Sequence, residues 1–407
     1  MTPEPGGREG PSAQAKTEQG ALSGLIVADF SRVLAGPLAT MMLGDLGATV
    51  IKVEEPTHGD DTRAWGPPYV DGESTYYLSI NRNKRSITLD LRTTEGATLA
   101  QELAARADVM VENFRAGRLA QYSLDYESVA RVNPAVIYCT VSGFGSGPGS
   151  DLAGYDFIAQ AVGGLMSITG SEEGPPTKVG VAVVDVLTGL HACIGIMAAL
   201  AARAKSGQGQ RVEVNLLSSL IASLINQGSA YANTGLVPRA MGNRHPSVVP
   251  YETFDTADGV IAVAVGNDAQ FRSLCTLLGL PALGEDERFA VNAARVRHRT
   301  ELIEMLEHAL TSDTAERWAV RMNDAGIPCG PINDIAGAFH LAESLDLHPI
   351  TMMQRHAGAA IAQLSNPIQL SKTPPRYALP PPTLGADSEG ILQWLNTPQR
   401  RSGLRPQ

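Results

Sequence analysis

Short apolar runs alternate with segments of helical spacing through the first half of the chain. Six runs have the length and composition of buried strands: Leu25–Phe30, Thr49–Val53, Ser86–Leu91, Val109–Glu112, Val136–Val141 and Arg211–Leu217. Amphipathic stretches such as Pro37–Leu46 and Glu95–Ala107 separate several of them. Strands that alternate with helices indicate βαβ units around an open parallel sheet. The pattern therefore predicts an α/β fold for this part of the chain.

The pattern changes beyond about residue 230. Gly235–Pro250 is rich in Gly, Pro, Asn and Arg, as linkers are, and Tyr251–Phe254 and Val260–Val265 then flank a turn as in a hairpin. We predict four parts: a disordered tail at 1–20, a large α/β domain at 21–230, a linker with a small α+β domain at 231–335, and a proline-rich C-terminal segment at 336–407 that returns to the large domain.

Charge and cysteine usage narrow the class of protein. The chain has 42 acidic and 32 basic residues, a net charge of −10, which disfavours a nucleic-acid partner. The four cysteines form no CxxC pair, which favours reduced thiols in a cytoplasmic protein over a disulfide or zinc framework. The longest apolar run, Val186–Ala202, is short for a membrane span and favours a buried helix, so no membrane partner is expected.

Several familiar chemical motifs are absent from the sequence. It contains no P-loop, no GxSxG elbow and no HExxH, and Gly143–Gly149 fails the dinucleotide pattern at its third glycine. The eight histidines are scattered singly, so no metal site is predicted.

Asp185 is the main candidate for chemistry. It follows the apolar run Val179–Val184, interpreted as strand-like, and begins a helix that continues through Ala204. One interpretation is a helix N-cap. The other is an ionised carboxylate among apolar neighbours that attacks an activated acyl carbon and forms a mixed anhydride. Asp156, which follows Tyr155, is either a second cap or a partner carboxylate.

Three other segments carry possible ligand contacts. Asn81–Arg85, with Arg92 nearby, is either a solvated loop or a phosphate clamp. Asn113 and Phe114 follow a predicted strand, and ligands bind at the carboxyl ends of strands in open α/β sheets. Gly266 ends a strand of the small domain, where a glycine either makes a turn or lets a loop close over a ligand.

Taken in order, several segments together resemble the class III CoA transferases, the family of formyl-CoA transferase and carnitine CoA-transferase. They are Arg32–Pro37, Gly44–Ala48, Val50–Glu54, Asn81–Arg85, Val111–Phe114, Gly154–Asp156, Gly174–Thr177, Asp185–Gly189 and Gly207–Gln210. The resemblance runs from about residue 22 to 395. Four further segments are most similar to succinyl-CoA-dependent dicarboxylate transferases, such as succinate–hydroxymethylglutarate CoA transferase: Gly59–Pro68, Ser74–Leu78, Val249–Tyr251 and Gly330–Asn333.

The resemblance implies roles for individual residues. Asp185 matches the catalytic aspartate, with Asp156 and Tyr155 beside it. The implied CoA contacts are Val33, Ala35, Leu89, Arg92, Asn113, Phe114, Gln121 and Lys84. The loop at Gly266 and Asn267 would cover the acyl site, although it has one glycine where the family has a run. Arg244 and His245 would pair with an acceptor carboxylate; the alternative for Arg244 is a surface contact at the rim.

The resemblance also implies a fold and a reaction. The expected fold is a Rossmann-like large domain with a smaller α+β domain, in a ring-shaped chain that interlocks with a second copy as a homodimer. The expected reaction moves CoA from succinyl-CoA to a dicarboxylate through an aspartyl anhydride and an aspartyl-CoA thioester. The CoA thioester is then a substrate, and no tightly bound cofactor is expected. Leu34 and Gln121 depart from formyl-CoA transferase and disfavour oxalate or formate.

Two other functions share the expected CoA site. An α-methylacyl-CoA racemase uses a His/Asp acid–base pair, but its histidine position holds Tyr155 here, and Asp185–Gly189 replaces its glycine-rich helix start. A non-catalytic CoA-binding protein would need no nucleophile. The transferase is the favoured hypothesis.

Overall fold

A computed structural model describes residues 20–355 and 358–397, so the predicted tail at 1–20 lies outside the described residues except for Gly20. The described chain forms two compact units. The first contains 20–156, 183–223 and the described part of 350–397, and the second contains 157–182 and 224–349.

In the described residues, the strands in chain order are β1 Ile26–Asp29, β2 Thr49–Glu54, β3 Tyr69–Val70, β4 Glu73–Ser74, β5 Lys84–Thr88, β6 Val109–Glu112, β7 Ile137–Ser142, β8 Gln210–Asn215, β9 Tyr251–Asp255, β10 Val260–Ala264, β11 Cys329–Pro331, β12 Ile350–Met353 and β13 Ile361–Leu364. The α-helices are α1 Ala35–Asp45, α2 Thr75–Ser79, α3 Thr94–Arg106, α4 Tyr126–Val132, α5 Asp156–Val162, α6 Val183–Ser206, α7 Leu216–Ser223, α8 Ile225–Thr234, α9 Asp268–Leu277, α10 Pro281–Glu285, α11 Asn292–Arg297, α12 Arg299–Leu310, α13 Ala315–Asp324, α14 Ile335–Ser344 and α15 Ser388–Asn396.

The first unit is built on a six-stranded sheet in the order β5-β2-β1-β6-β7-β8, and every neighbouring pair is parallel. This confirms the predicted α/β fold and all six predicted strands. Apolar side chains cover both faces, as parallel sheets require. One face packs on α1 and α6 through residues such as Ala39 and Ile196. The other packs on α3 and α15 through Leu103 and Ile391.

Helix α6 begins earlier than predicted, and the predicted strand at Val179–Val184 is wrong. Residues 178–182 form no regular element, and Val183 already belongs to the helix. The physical reason is a carboxylate from another element: one oxygen of Asp156 accepts the backbone N–H of Val184 at 2.7 Å and that of Asp185 at 3.3 Å. These N–H groups would otherwise lack a partner at the helix start.

Among the described residues, α6 is the one helix long and apolar enough to span a membrane. Part of its surface lies in the core of the first unit, where it packs closely on α1. Gly189 permits this approach, because a Cβ at that position would lie 2.7 Å from the backbone oxygen of Ala35.

The second unit contains a three-stranded antiparallel sheet in the order β11-β10-β9. The predicted hairpin is confirmed, with Val260 opposite Asp255. Its core includes Phe254, Phe271 and Trp318. Residues 157–182 also belong to this unit, and the Gly242 N–H donates to the Gly170 carbonyl at 2.9 Å. The predicted domain bounds stay a prediction.

Candidate active site

A cavity of about 940 Å³ opens in the first unit, at the carboxyl ends of β1, β6, β7 and β8. Ligands bind at this edge in open α/β sheets, since the connections after the strands diverge there. Six of the sequence-predicted site residues line the cavity: Val33, Ala35, Asn113, Phe114, Tyr155 and Asp185. The structure thus brings the candidate nucleophile and part of the expected CoA contacts to one place.

Asn113 fixes one wall of this cavity. It follows β6, and its side-chain oxygen accepts the Arg32 N–H at 2.9 Å while its amide donates to the Arg32 carbonyl at 2.7 Å. The Arg32 guanidinium lies 5.9 Å from the centre of the Phe114 ring. The connections after β1 and β6 are therefore joined by side-chain contacts.

Asp185 lies in the first turn of α6 and is not the N-cap that one interpretation of the sequence expected. Instead, Asp156 accepts the N–H groups at the start of α6 from outside the helix. Because Asp156 has this capping role, the Asp185 side chain is free of it and lines the cavity. Asp156 is thus both a cap and a neighbouring carboxylate.

The environment of Asp185 disfavours its charge. Burial raises the pKa of Asp185 to about 7, and the nearby Asp156 contributes in the same direction. In the described part of the first unit, no lysine, arginine or histidine lies within ion-pair distance of the Asp185 carboxylate. A carboxyl group in this state changes its charge near neutral pH, as groups at catalytic sites often do.

Sequence reasoning missed Tyr76, in helix α2. Burial raises the pKa of Tyr76 to about 12, and the next largest cause is the charge of Asp185. The hydroxyl therefore stays protonated and lies close enough to Asp185 to respond to it. The Tyr76 ring makes an edge contact with Trp65, at 5.3 Å between centroids. The only signal in the sequence was that Trp65 and Tyr76 lie in segments that resemble the dicarboxylate transferases.

Glu112 is a second residue that the sequence did not single out. It ends β6, lines the cavity and is buried. Burial raises its pKa to about 7, although its carboxylate accepts the Phe114 N–H at 2.8 Å. Its position as the last polar residue of an apolar strand was the available signal.

Most of the basic segment, Asn81–Lys84, is buried and is therefore not a solvated loop, whereas Arg85 is exposed and pairs with Asp387. Lys84 is fully buried, and its ammonium donates to Asp29 at 3.0 Å, to the Pro37 carbonyl at 2.9 Å and to Asn81 at 3.0 Å. All three donors are used inside the core, so the structure corrects the expectation that Lys84 contacts CoA. Arg82 is likewise buried, in a bidentate pair with Asp45.

Three other expected CoA contacts do not line the cavity. Leu89 is buried in the core beneath α3. Arg92 is exposed and donates to Asp90 at 2.8 and 3.0 Å. Gln121 is exposed, and its amide donates to the Arg118 carbonyl at 2.8 Å. Their roles stay predictions of the resemblance.

The predicted loop and acceptor residues lie in the second unit. Asn267 caps α9 by accepting the Gln270 N–H at 2.9 Å, and the Gly266 N–H donates to the Gln270 side chain at 2.9 Å. Arg244 forms an ion pair with Glu172, and the His245 ring lies 5.2 Å from the ring of Tyr251. These contacts describe the second unit alone, so the roles of the loop and of the acceptor residues also stay predictions.

In the residues that the structure describes, no group of three or more His, Cys, Asp or Glu side chains is placed to hold a metal ion. The site consists of carboxylates, a tyrosine hydroxyl and backbone groups around a cavity at the carboxyl edge of a parallel sheet. Carboxylates of this kind can act as nucleophiles in group transfer.

The fold and this site define a class of transferase. The sequence model of "CoA-transferase family III" matches residues 22–388, and the chain belongs to this family. It is therefore a CoA-transferase, an enzyme whose substrates are a CoA thioester and a carboxylic acid.

Two curated relatives and one solved structure are similar over most of their length. "Succinate--glutarate CoA-transferase" of Agrobacterium fabrum is 45% identical over 386 residues, which is 93% of this chain and 96% of the relative. "Succinyl-CoA:glutarate CoA-transferase" of Homo sapiens is 44% identical over 375 residues, 91% of this chain and 85% of the relative. The crystal structure of a CAIB/BAIF family protein from Brucella suis has a TM-score of 0.82 and 42% identity to this chain. The match covers 93% of this chain and 100% of the Brucella protein.

Proposed function

We propose that this enzyme transfers CoA from succinyl-CoA to a C4–C6 dicarboxylate, and that Asp185 carries the covalent intermediates. The observation that carries the proposal is a carboxylate without a cation partner in the described first unit, facing a cavity, with its pKa raised to about 7. The names of the Agrobacterium and human relatives, which pair succinate or succinyl-CoA with glutarate, support this choice of substrates.

The reaction conserves the free energy of the thioester. A carboxylate oxygen of Asp185 attacks the thioester carbonyl carbon, the C–S bond breaks, and CoA leaves as a thiolate with a mixed anhydride left on the enzyme. The thiolate then attacks the aspartyl carbonyl of this anhydride, which releases succinate and forms an aspartyl-CoA thioester. The acceptor carboxylate attacks that thioester and again displaces the thiolate. Finally, the thiolate attacks the acceptor carbonyl of the second anhydride, which gives the new acyl-CoA and restores the Asp185 carboxylate.

The residues around Asp185 support each requirement of this route. Removal from water makes an ionised carboxylate more reactive, because its hydration is weakened. Asp156 fixes the first turn of α6 and so orients the nucleophile. Tyr76 keeps its proton, since its pKa is about 12, and can donate a hydrogen bond to an anionic intermediate beside Asp185.

The second unit and a second copy of the chain enter the proposal through the family resemblance. Gly266 and Asn267 would cover the acyl site and exclude water, which would otherwise hydrolyse the anhydride. Arg244 and His245 would bind the second carboxylate of the acceptor, in which case the acceptor must compete with Glu172 for Arg244. We propose a homodimer on the same basis.

The test is a panel of donors and acceptors combined with mass spectrometry of the enzyme. We expect CoA transfer from succinyl-CoA to dicarboxylates of four to six carbons, and a covalent adduct at Asp185 that hydroxylamine removes or borohydride traps. Asp185→Asn is the matched control, because it preserves size and should show no adduct. Exchange of an α-proton without CoA transfer would support the racemase instead, and binding of CoA without turnover would support a binding protein.

A further inference from the structure

Residues 31–33 lie in the connection between β1 and α1, and Val33 lines the cavity. Side chains bind the backbone of residues 31–33. Asp29 accepts the Ser31 N–H at 3.0 Å, and Asn113 bonds both the N–H and the carbonyl of Arg32. The backbone of Ser31 and Arg32 is therefore held by side chains from β1 and from the residue after β6.

Val33 has an unusual backbone conformation. Its φ is +70°, in the left-handed region where a β-branched side chain is rare and strained. Strain of this kind persists only when the surroundings enforce it, and it concentrates at functional sites.

Lys52 and Asp60 contact the backbone on either side of Arg32. The Lys52 ammonium donates to the Ser31 carbonyl at 3.0 Å and to Asp60 at 2.8 Å. The other oxygen of Asp60 accepts the Val33 N–H at 3.3 Å and the Thr62 N–H at 3.0 Å. One ion pair thus holds the chain on both sides of Arg32.

Neither member of this pair contacts the cavity. The side chains of Lys52 and Asp60 are completely buried, and neither residue lines the cavity. Burial alone would raise the pKa of Asp60, but Lys52 outweighs it and the pKa lies below its usual value. The pair is therefore permanently charged and reaches the cavity only through the backbone of residues 31–33.

We propose that Lys52 and Asp60 are positioning residues that hold Val33 in its left-handed conformation and so shape the wall that receives the CoA thioester. This inference rests on the proposed function for the identity of the ligand. It assigns the pair an effect on thioester binding rather than on the chemical step at Asp185.

The first test is Asp60→Asn. An asparagine has one acceptor oxygen, so it can serve either Lys52 or the Val33 and Thr62 N–H groups, but not both. We expect the KM for succinyl-CoA to rise about tenfold, while kcat changes less than about threefold. If Asp60→Asn does not fold, Asp60→Glu replaces it, because glutamate keeps the charge for Lys52 and displaces the oxygen that serves Val33.

Asp45→Asn is the matched control. Asp45 is also a buried carboxylate in an ion pair, with Arg82 at 2.6 Å, but it holds Asn83 and Asn366 and does not line the cavity. We expect a comparable drop in Tm with the KM for succinyl-CoA within about twofold of wild type. An equal rise of KM in both variants would overturn the proposal, since general destabilisation would then explain it.

A comparison of Val33→Gly with Val33→Ala separates the effect of backbone strain at position 33 from the effect of losing the valine side chain. Both remove the valine side chain, but only glycine adopts a positive φ without cost. We expect Asp60→Asn to raise KM clearly less in the Val33→Gly background than in the Val33→Ala background. An equal effect in both backgrounds would overturn the positioning role.

Failure of the positioning role can be distinguished from failure of the proposed function. If Asp185→Asn still transfers CoA, the proposed route fails regardless of the KM values. If Asp185→Asn is inactive while Asp60→Asn has the wild-type KM, the proposed route stands and the positioning role of the Lys52–Asp60 pair is refuted.

Discussion

Two carboxylates of the first unit, Asp29 and Asp185, differ in their partners: Asp29 is fully buried in the core, and Asp185 is half-buried and lines the cavity. For Asp29, burial opposes ionisation, but Lys84 and Lys52 outweigh it and the pKa falls to about 2. For Asp185, burial and the neighbouring Asp156 act in the same direction, and the pKa rises to about 7. Burial thus raises the pKa of both carboxyl groups, and the presence of a cation decides the direction of the net shift.

The difference separates a structural carboxylate from a reactive one. Asp29 is ionised at any physiological pH, and its oxygens are bound by Ser31, Thr40 and Lys84. These hydrogen bonds and the ion pair stabilise the negative charge of Asp29, so its carboxylate has little tendency to attack a carbonyl carbon. Asp185 has no such compensation, so its ionised form is less stabilised by the protein than that of Asp29 and is the more nucleophilic of the two carboxylates.

The largest expected effect comes from removing the uncompensated carboxylate. Asp185→Asn should lower kcat by at least about a thousandfold, because the amide cannot form the anhydride. Steady-state kinetics with succinyl-CoA and a dicarboxylate measure this. Retention of more than a tenth of the activity would show that the reaction does not pass through Asp185.

Removing a lysine that compensates a buried carboxylate should reduce the stability of the fold rather than the activity. Lys52→Met leaves Asp60 buried without its cation and should lower the free energy of unfolding by roughly 3–5 kcal/mol. Urea denaturation measures this. The control is Arg85→Gln, which breaks an exposed pair with Asp387 and should cost about 0–1 kcal/mol. Equal losses in the two variants would contradict the account of the buried pair.

The pH dependence of activity should follow Asp185. Because its pKa is raised, the carboxyl is neutral and unreactive at low pH, and kcat/KM for succinyl-CoA should rise about tenfold per pH unit below about 7 and level off above. Rate measurements under conditions where the donor thioester is stable provide the profile. A midpoint near 4 would indicate an ordinary, solvated carboxylate.

The smallest expected effect comes from the neighbouring charge. Asp156→Asn keeps an oxygen that can accept the N–H groups at the start of α6 but removes the negative charge. The midpoint of the pH profile should move to lower pH, by less than the full shift, since burial is the larger cause. An upward or absent movement would show that Asp156 does not act on Asp185 through its charge.

The sequence was most informative where local pattern decides structure. Strands β1, β6 and β7 are mostly apolar runs, and an apolar run that alternates with helices is typical of a buried strand. Asp185 was found because it lies at the start of the longest apolar helix and within a segment that resembles the family. The start of helix α6 was predicted two residues late. The carboxylate that caps the helix belongs to Asp156, which lies 28 positions before Val184 in the sequence.

Long-range charge pairing could not be predicted in the same way. Lys52 and Lys84 are polar positions on strands, and alternation alone does not distinguish a side chain in solvent from one paired in the core. Their partners Asp60 and Asp29 are 8 and 55 positions away. Lys84 was therefore expected to contact CoA although it is paired in the core, and Tyr76 was missed because its proximity to Asp185 depends on the folded chain.

The most direct measurement is the rate of covalent trapping at Asp185 as a function of pH, followed by peptide mass spectrometry after incubation with succinyl-CoA and borohydride. The account predicts modification at Asp185, with a rate that rises through a midpoint near 7. Modification of another residue, or a rate at Asp185 that is already maximal at pH 5, would contradict it.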